Sequence, residues 1–171
     1  ADYPVPGLKE TGFITSDDVL QMREAPKSVI VLGAGAVAVE LAQFFLRIGV
    51  EVSLLQRSPH ILSKGDEDLA RPVEHRFRQE GMNLYTGTNI LRAEKQEDGS
   101  AVYFQHEGKE RRVCAQFILQ ALGRRPNSDG LGLETAGVET DKGRITVNAK
   151  MKTSQPHIYA VGDVNGIHEV V

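Results

Sequence analysis

Six small or apolar residues form the segment whose types and spacing could do the most chemistry. They are Gly33, Ala34, Gly35, Ala36, Val37 and Ala38, a GxGxxA pattern between an apolar run and a helical pattern. The first glycine permits a tight turn, the second lets the backbone approach a pyrophosphate, and the small third residue lets a helix pack on a strand. The helix N-terminus then offers N–H groups to phosphates. The segment predicts dinucleotide binding; the competing interpretation is that small residues only ease a strand-to-helix turn.

The end of the second predicted strand indicates which dinucleotide would bind. An acidic residue about 20 residues after the glycines binds the adenosine ribose 2′-hydroxyl in many such turns. Here that position is Gln56, followed by Arg57. A neutral Gln56 does not repel a 2′-phosphate, and Arg57 could pair with it through charge-assisted hydrogen bonds. The pair favours NADPH, but Gln56 could also bind a free hydroxyl, which leaves NADH open, and Arg57 could be an ordinary solvated arginine.

Thiol and metal chemistry have little support in the remaining residues. Cys114 is the single cysteine, so the chain contains no dithiol centre. It falls in a predicted strand, where we expect it to be a small buried hydrophobe. The five histidines lack metal-ligand spacing. We therefore assign no catalytic residue and no metal site.

A strand, a helix and a second strand must position the glycine turn. Residues 29–32 form a continuous apolar run, typical of a parallel strand buried on both faces. After the turn, apolar residues recur at helical spacing until Gly49; they are Val37, Leu41, Phe44, Phe45 and Ile48. Residues 52–55 supply the second strand, which completes a βαβ unit.

A second helix and a third strand follow. The helix is predicted from about Asp66 to Gln79, with Leu69, Val73 and Phe77 on its packing face. Residues 82–85 would form the strand.

Short strands with tight turns come next, at residues 89–93, 101–105 and 111–115, and residues 117–122 return as a buried strand. Beyond them we expect a helical stretch at 131–136 and strands at 144–147 and 157–161. The pattern predicts an α/β, Rossmann-like three-layer domain, with a central parallel sheet, helices on one face and an antiparallel β-meander on the other.

Composition limits the partners. The 171 residues are 40% hydrophobic and 25% charged, as in one ordinary folded domain. A net charge of -3, with Lys and Arg spread along the chain, disfavours nucleic acid as a partner. No segment is long and apolar enough to span a bilayer, and the first residues lack the pattern of a signal peptide. We therefore expect no membrane partner and a cytoplasmic location.

Three separated segments make the chain resemble a known family, the class I pyridine nucleotide-disulfide oxidoreductases, which include glutathione reductase, dihydrolipoamide dehydrogenase and mercuric reductase. The first segment, residues 33–41, contains the glycine pattern followed by Val39-Glu40-Leu41. The second is Ala121-Leu122-Gly123-Arg124-Arg125-Pro126-Asn127, similar to the family's GRxPN segment. The third, residues 153–164, ends in Ala160-Val161-Gly162-Asp163-Val164, similar to the family's FAD-domain signature.

The resemblance implies roles for single residues. Glu40 would lie beside nicotinamide and flavin, whereas the alternative is an acid that favours the helix dipole. Arg124, after Gly123, would contact the nicotinamide cofactor, with a solvated loop arginine as the rival interpretation. Asp163, after Gly162, would hold the FAD ribityl chain. Ala36 stands where glutathione reductase has a bulky residue over the nicotinamide pocket, so that gating role is in doubt here.

The resemblance also implies how the domains are organised. Residues 1–27 would lead in from an FAD domain, residues 28–125 would bind NAD(P)H, and residues 126–171 would return to the FAD domain. The parent would pass hydride from NAD(P)H to FAD and electrons to a Cys pair, which reduces a disulfide or similar substrate. That Cys pair and the family's His-Glu pair lie outside this chain. We therefore expect a fragment that is inactive alone, taken from a parent that is a homodimer.

Two other functions stay open from the sequence. One is a domain of a non-thiol NAD(P)H-flavin reductase, which shares these folds but needs no Cys pair. The other is a stand-alone nucleotide-binding sensor without flavin. Residues 153–164 are hard to explain in such a sensor.

Overall fold

The computed structural model describes residues 5–167. Residues 1–4 of the predicted segment 1–27 and residues 168–171 of the predicted segment 126–171 therefore lie outside the described residues. The chain divides into two compact units, one extending to Gly123 and the other beginning at Arg124. The assignment of residues 1–27 and 126–171 to a neighbouring FAD domain stays a prediction.

Helices and strands alternate from residue 16 to residue 85, and strands alone follow to the end of the first unit. Within residues 5–167 the α-helices are Leu8–Thr11 (α1), Ser16–Gln21 (α2), Ala36–Arg47 (α3) and Glu67–Gln79 (α4). The strands in this range are Ser28–Leu32 (β1), Glu51–Leu55 (β2), Asn83–Tyr85 (β3), Asn89–Gln96 (β4), Gly99–His106 (β5), Lys109–Ala115 (β6), Phe117–Gln120 (β7), Thr140–Asp141 (β8) and Arg144–Ile145 (β9), and Asp163–Asn165 forms a 3-10 turn (η1).

The central sheet is parallel and has the order β3-β2-β1-β7. The four strands end side by side, because Leu32 pairs with both Leu55 and Gln120, and Leu55 pairs with Tyr85. The connections that follow these strands therefore leave from one edge of the sheet. In open α/β sheets this carboxyl edge is where ligands bind.

Each face of the sheet is covered by a different layer. Val29 and Val31 of β1 join a core with Phe45 of α3 and Phe77 of α4. Their neighbours Ile30 and Leu32 point the other way, into a core with Val102 and Phe104 of β5. Burial on both sides explains why residues 29–32 of β1 are all apolar. The predicted three-layer α/β architecture is confirmed.

The layer opposite the helices is the antiparallel meander β4-β5-β6. Its hairpins turn near Asp98 and Glu107, in the gaps between the three strands predicted there. The prediction of a buried Cys114 is wrong, since the thiol-bearing residue is exposed. Cys114 lies between Val113 and Ala115, which face the core, and successive side chains of a strand point to opposite faces.

Helix α4 packs through a face that matches the predicted one only in part. Phe77 is fully buried, as expected, but Leu69 is 71% exposed. The buried positions of α4 are Ala70, Glu74 and Phe77. Val73 packs against the core as predicted, but Ala70 and Glu74 are more deeply buried, so a carboxylate lies in a face that was predicted to be apolar.

The second unit has a small core of Val138, Ile145 and Ala160. The helix expected at 131–136 is wrong: the segment forms turns, with a single-turn hydrogen bond from the Ala136 amide to Gly132 (2.9 Å). Gly132 and Gly137 have φ values of 65° and 68°, outside the helical region, so a longer helix cannot form. The expected strand at 144–147 shortens to β9, and that at 157–161 reduces to a single bridge with Tyr159.

Candidate functional site

Gly33, directly after β1, is required by the fold itself. Its φ is 101°, a conformation that favours glycine. A Cβ atom there would collide with the carbonyl oxygen of Ala121, which follows β7. Its amide donates a hydrogen bond to the Leu55 carbonyl (2.9 Å). The tight strand-to-helix turn predicted at Gly33 is therefore present at the carboxyl edge of the sheet.

Gly35, the N-cap of α3, is exposed and has a different character. Its φ of -73° is accessible to every residue type. A Cβ atom at Gly35 would meet nothing within 4 Å among the described residues. Neither backbone conformation nor packing within residues 5–167 therefore explains a glycine here. A ligand that approaches the backbone closely would explain it, and the position fits a phosphate group.

The first turn of α3 presents backbone donors beside Gly35. No described side chain caps the helix at Gly35, and unpaired amides at a helix start attract anions. Ala38 is 1% exposed and belongs to the core against β1. Its methyl group lets α3 lie close to the sheet, as predicted for the third small residue.

Glu40 and Ala36 lie on the accessible part of α3, and both residues are exposed. No acidic residue of the described chain lies in the first turn of α3, so Glu40 lies beyond the positions where a carboxylate favours the helix dipole most. Ala34 is buried and Val37 is half-buried.

The loop after β2 carries the residues predicted to choose the dinucleotide. Gln56 is buried, and its carbonyl accepts hydrogen bonds from the amide and hydroxyl of Thr88 (2.9 and 3.0 Å). Its side-chain Nε2 lies 3.5 Å from the His60 carbonyl. Arg57 is exposed. Gln56 therefore serves the loop itself, and Arg57 is the member of the pair that a ligand could reach.

Two further hydrogen bonds fix the far end of this loop, and sequence reasoning missed them. The Ile61 amide donates to Oε1 of Glu74 on α4 (2.9 Å). The next amide, of Leu62, donates to the carbonyl of Ala34 in the glycine turn (2.8 Å). The available indication was the spacing of Ala70, Glu74 and Phe77, which share one helix face.

The remaining predicted site residues lie at or beyond the unit boundary. Gly123 ends the first unit, with a φ of 136°. In the second unit, Arg124 Nη2 lies 3.3 Å from Asp163 Oδ2, and Gly162 precedes η1 with a φ of 89°. The structure thus brings Arg124 and Asp163 together as an ion pair.

No group of three or more potential metal-ligating side chains occurs in the described part of the chain. No helix within residues 5–167 has the length and apolar character needed to cross a membrane.

Known proteins resemble this chain closely. The mercuric reductase of Staphylococcus aureus is 36% identical over 161 residues, which are 94% of this chain and 29% of that enzyme. The dihydrolipoyl dehydrogenase of Thermus scotoductus is 42% identical over 163 residues, which are 90% of this chain and 35% of that enzyme.

A solved structure has the same fold. The HOCl-induced flavoprotein disulfide reductase RclA from Escherichia coli, as its Cu(II) complex, matches with a TM-score of 0.88 and 27% identity. The match covers 99% of this chain and 39% of that chain. The chain therefore spans about a third of the length of its curated relatives. The family model described as pyridine nucleotide-disulphide oxidoreductase matches residues 1–171, and the chain belongs to this family.

Proposed function

We propose that this chain is the NAD(P)H-binding domain of an FAD-dependent disulfide reductase, and that it positions the nicotinamide for hydride transfer to flavin. One observation carries the proposal: Gly35 is a glycine that neither the backbone nor the packing of the described residues requires. It lies at the carboxyl edge of the parallel sheet, beside uncapped helix amides. A diphosphate close to the backbone accounts for all three features.

Different residues around the turn would contact different portions of the dinucleotide. Backbone N–H groups of Ala36 and Val37 would donate to the diphosphate, and Gly35 would leave room for it. Glu40 would lie near the nicotinamide, one helical turn further along α3. Ala36, small and exposed, leaves this approach open. When bound, NAD(P)H supplies the hydride; the chain supplies orientation.

We infer that NADPH is preferred over NADH. No acid stands at the end of β2 to repel a 2′-phosphate, because Gln56 is neutral and faces its own loop. Arg57 is exposed at the same place and would form charge-assisted hydrogen bonds with the phosphate.

The second unit supports the assignment to a two-dinucleotide parent. Asp163 and Gly162 would contact FAD, and Arg124, which pairs with Asp163 at 3.3 Å, would contact the nicotinamide cofactor. The parent would reduce a disulfide or similar thiol-linked substrate as a homodimer, with its Cys pair and acid-base pair outside residues 1–171. The chain alone would bind dinucleotide without turnover.

The experiment that tests this proposal compares two glycines. Neither Gly35 nor Gly65 has a positive φ, and a Cβ at Gly65 makes only an ordinary contact of 3.5 Å. We expect Gly35→Ala to fold normally and to bind NADPH about tenfold or more weakly, because its methyl group occupies the phosphate's place. Gly65→Ala should bind like the unmodified chain. Calorimetric titration measures both; equal affinity of the two variants would reject the proposal.

A further inference from the structure

Glu74 is an acidic side chain on the buried face of α4. The residue is 9% exposed, and its neighbours on that face are Ala70 and Phe77. Burial of a carboxylate is unfavourable unless hydrogen bonds and an opposite charge compensate. The partners of Glu74 therefore explain its presence in this face.

Each carboxylate oxygen of Glu74 has one partner. Oε1 accepts the backbone N–H of Ile61 at 2.9 Å, and both residues are buried. Oε2 lies 3.3 Å from Nη1 of Arg78, whose side chain is 47% exposed. Arg78 lies one turn further along the same helix, so this ion pair links Glu74 to nothing outside α4. The contact specific to Glu74 is therefore its hydrogen bond to the loop between β2 and α4.

The Ile61 amide lies at a junction of that loop. The first half of the loop is held from β3 and its following turn, where Thr88 bonds the Gln56 carbonyl and the Gly87 amide bonds the Ser58 carbonyl. The second half is held by Glu74 at Ile61. Directly after it, the Leu62 amide bonds the Ala34 carbonyl in the glycine turn. Glu74 thus ties the Arg57-bearing loop to α4 at the residue directly before the one that bonds the glycine turn.

We propose that Glu74 is a positioning residue for dinucleotide specificity: it clamps loop residues 57–62 against the glycine turn. This inference rests on the proposed function, because the specificity concerned is that of Arg57 for a 2′-phosphate. A nucleotide with this phosphate contacts both the loop and the turn, whereas one without it depends mainly on the turn. Loosening of the loop therefore weakens NADPH binding more than NADH binding.

Two substitutions separate the hydrogen bond from the packing. Glu74→Met keeps side-chain volume but removes the acceptor, and Glu74→Gln keeps an oxygen that can accept from the Ile61 amide. A matched control is Glu80→Ala, since Glu80 follows α4 and bonds Arg47 and Arg76 rather than the loop. All variants are made in the 171-residue chain, and their dissociation constants for NADPH and NADH are measured.

The ratio of the two dissociation constants is the decisive quantity. We expect Glu74→Met to lower the preference for NADPH about three- to tenfold, the effect of one lost hydrogen bond. Glu74→Gln and Glu80→Ala should keep the preference within about twofold. An unchanged preference in a folded Glu74→Met variant, or a loss in Glu74→Gln as large as in Glu74→Met, would overturn the proposal.

Hydrogen exchange without nucleotide tests the clamp independently of the proposed function. The Ile61 and Leu62 amides should be protected in the unmodified chain and in Glu74→Gln, and should exchange faster in Glu74→Met. Unchanged protection in Glu74→Met would refute the clamp. If the unmodified chain instead binds neither dinucleotide, the proposed function fails, while the exchange result still decides whether Glu74 holds the loop.

Discussion

The α-carbon of Gly33 faces the carbonyl oxygen of Ala121 so closely that no side chain fits between them. The Ala121 amide donates a hydrogen bond to the Leu32 carbonyl (2.9 Å). The backbone after β7 is therefore bonded to the residue that precedes the turn. Gly33 and Gly35 belong to one sequence pattern but have different reasons to be glycine. The backbone conformation and packing of the protein require glycine at position 33. In our proposal, the bound ligand requires glycine at position 35.

This difference predicts opposite effects on stability. Gly33→Ala combines left-handed backbone strain with a collision against backbone, and we expect it to lower the free energy of unfolding by about 2–4 kcal/mol. Gly35→Ala should change it by less than about 0.5 kcal/mol. Urea unfolding of both variants checks the prediction, which fails if the two substitutions are equally harmful.

Arg57→Ala should separate the two dinucleotides. A charge-assisted hydrogen bond contributes about 1.5–3 kcal/mol, so NADPH affinity should fall about tenfold or more, while NADH affinity should change little. Fluorescence titration of both dinucleotides measures this. Equal losses for the two, or tighter binding of NADH by the unmodified chain, would contradict the preference for NADPH.

The packing face of α4 can be tested with a matched pair of large apolar residues. Phe77 is fully buried and Leu69 is 71% exposed. Phe77→Ala should lower the free energy of unfolding by about 3–5 kcal/mol, and Leu69→Ala by less than about 0.5 kcal/mol. Chemical unfolding curves give both values. Comparable losses would favour the face predicted from sequence over the observed one.

The carboxylate of Glu80 joins the ends of α3 and α4, and it should make the stability of the protein depend on pH. A hydrogen bond from the Arg47 guanidinium holds the pKa of Glu80 below its usual range. A carboxyl group whose pKa is lower when folded stabilises the protein at neutral pH, and this contribution disappears as the pH falls through the folded pKa. The stability difference between the unmodified chain and Glu80→Gln should therefore shrink from about pH 7 to about pH 3.

The control for this prediction is Glu97→Gln, in the exposed turn between β4 and β5. The stability difference between this variant and the unmodified chain should not shrink in the same way as the pH falls. Thermal unfolding across the same pH range records both differences. A Glu80→Gln difference that stays constant with pH would show that the ion pair does not stabilise the fold.

Much of the first unit was predictable because local patterns and tertiary packing agree there. The apolar run of β1 is buried on both faces, and positive-φ glycines end the strand and α3 where the sequence indicated. Cys114 was misplaced because its burial was judged from residue type. The alternation of Val113 and Ala115 would have placed it outward.

The clamp at Glu74 could not be predicted, for a different physical reason. Its partner is a backbone amide in an irregular loop, and the position of Ile61 depends on the fold rather than on a side-chain pattern. In the sequence Leu69 and Val73 form an apolar stripe, whereas the contacts that allow a carboxylate to be buried, with Ile61 and Arg78, are seen only in the fold. The helix predicted at residues 131–136 does not form because three nearby glycines adopt positive φ values; they are Gly130, Gly132 and Gly137.

The central claim is that the amides around Gly35 bind a dinucleotide diphosphate, and nuclear magnetic resonance tests it most directly. In the 15N-labelled chain titrated with NADPH, we predict that the amide signals of Gly35, Ala36 and Val37 shift most, with Arg57 responding to the 2′-phosphate. Shifts that leave these amides unchanged, or that concentrate on a different part of the chain, would contradict the account.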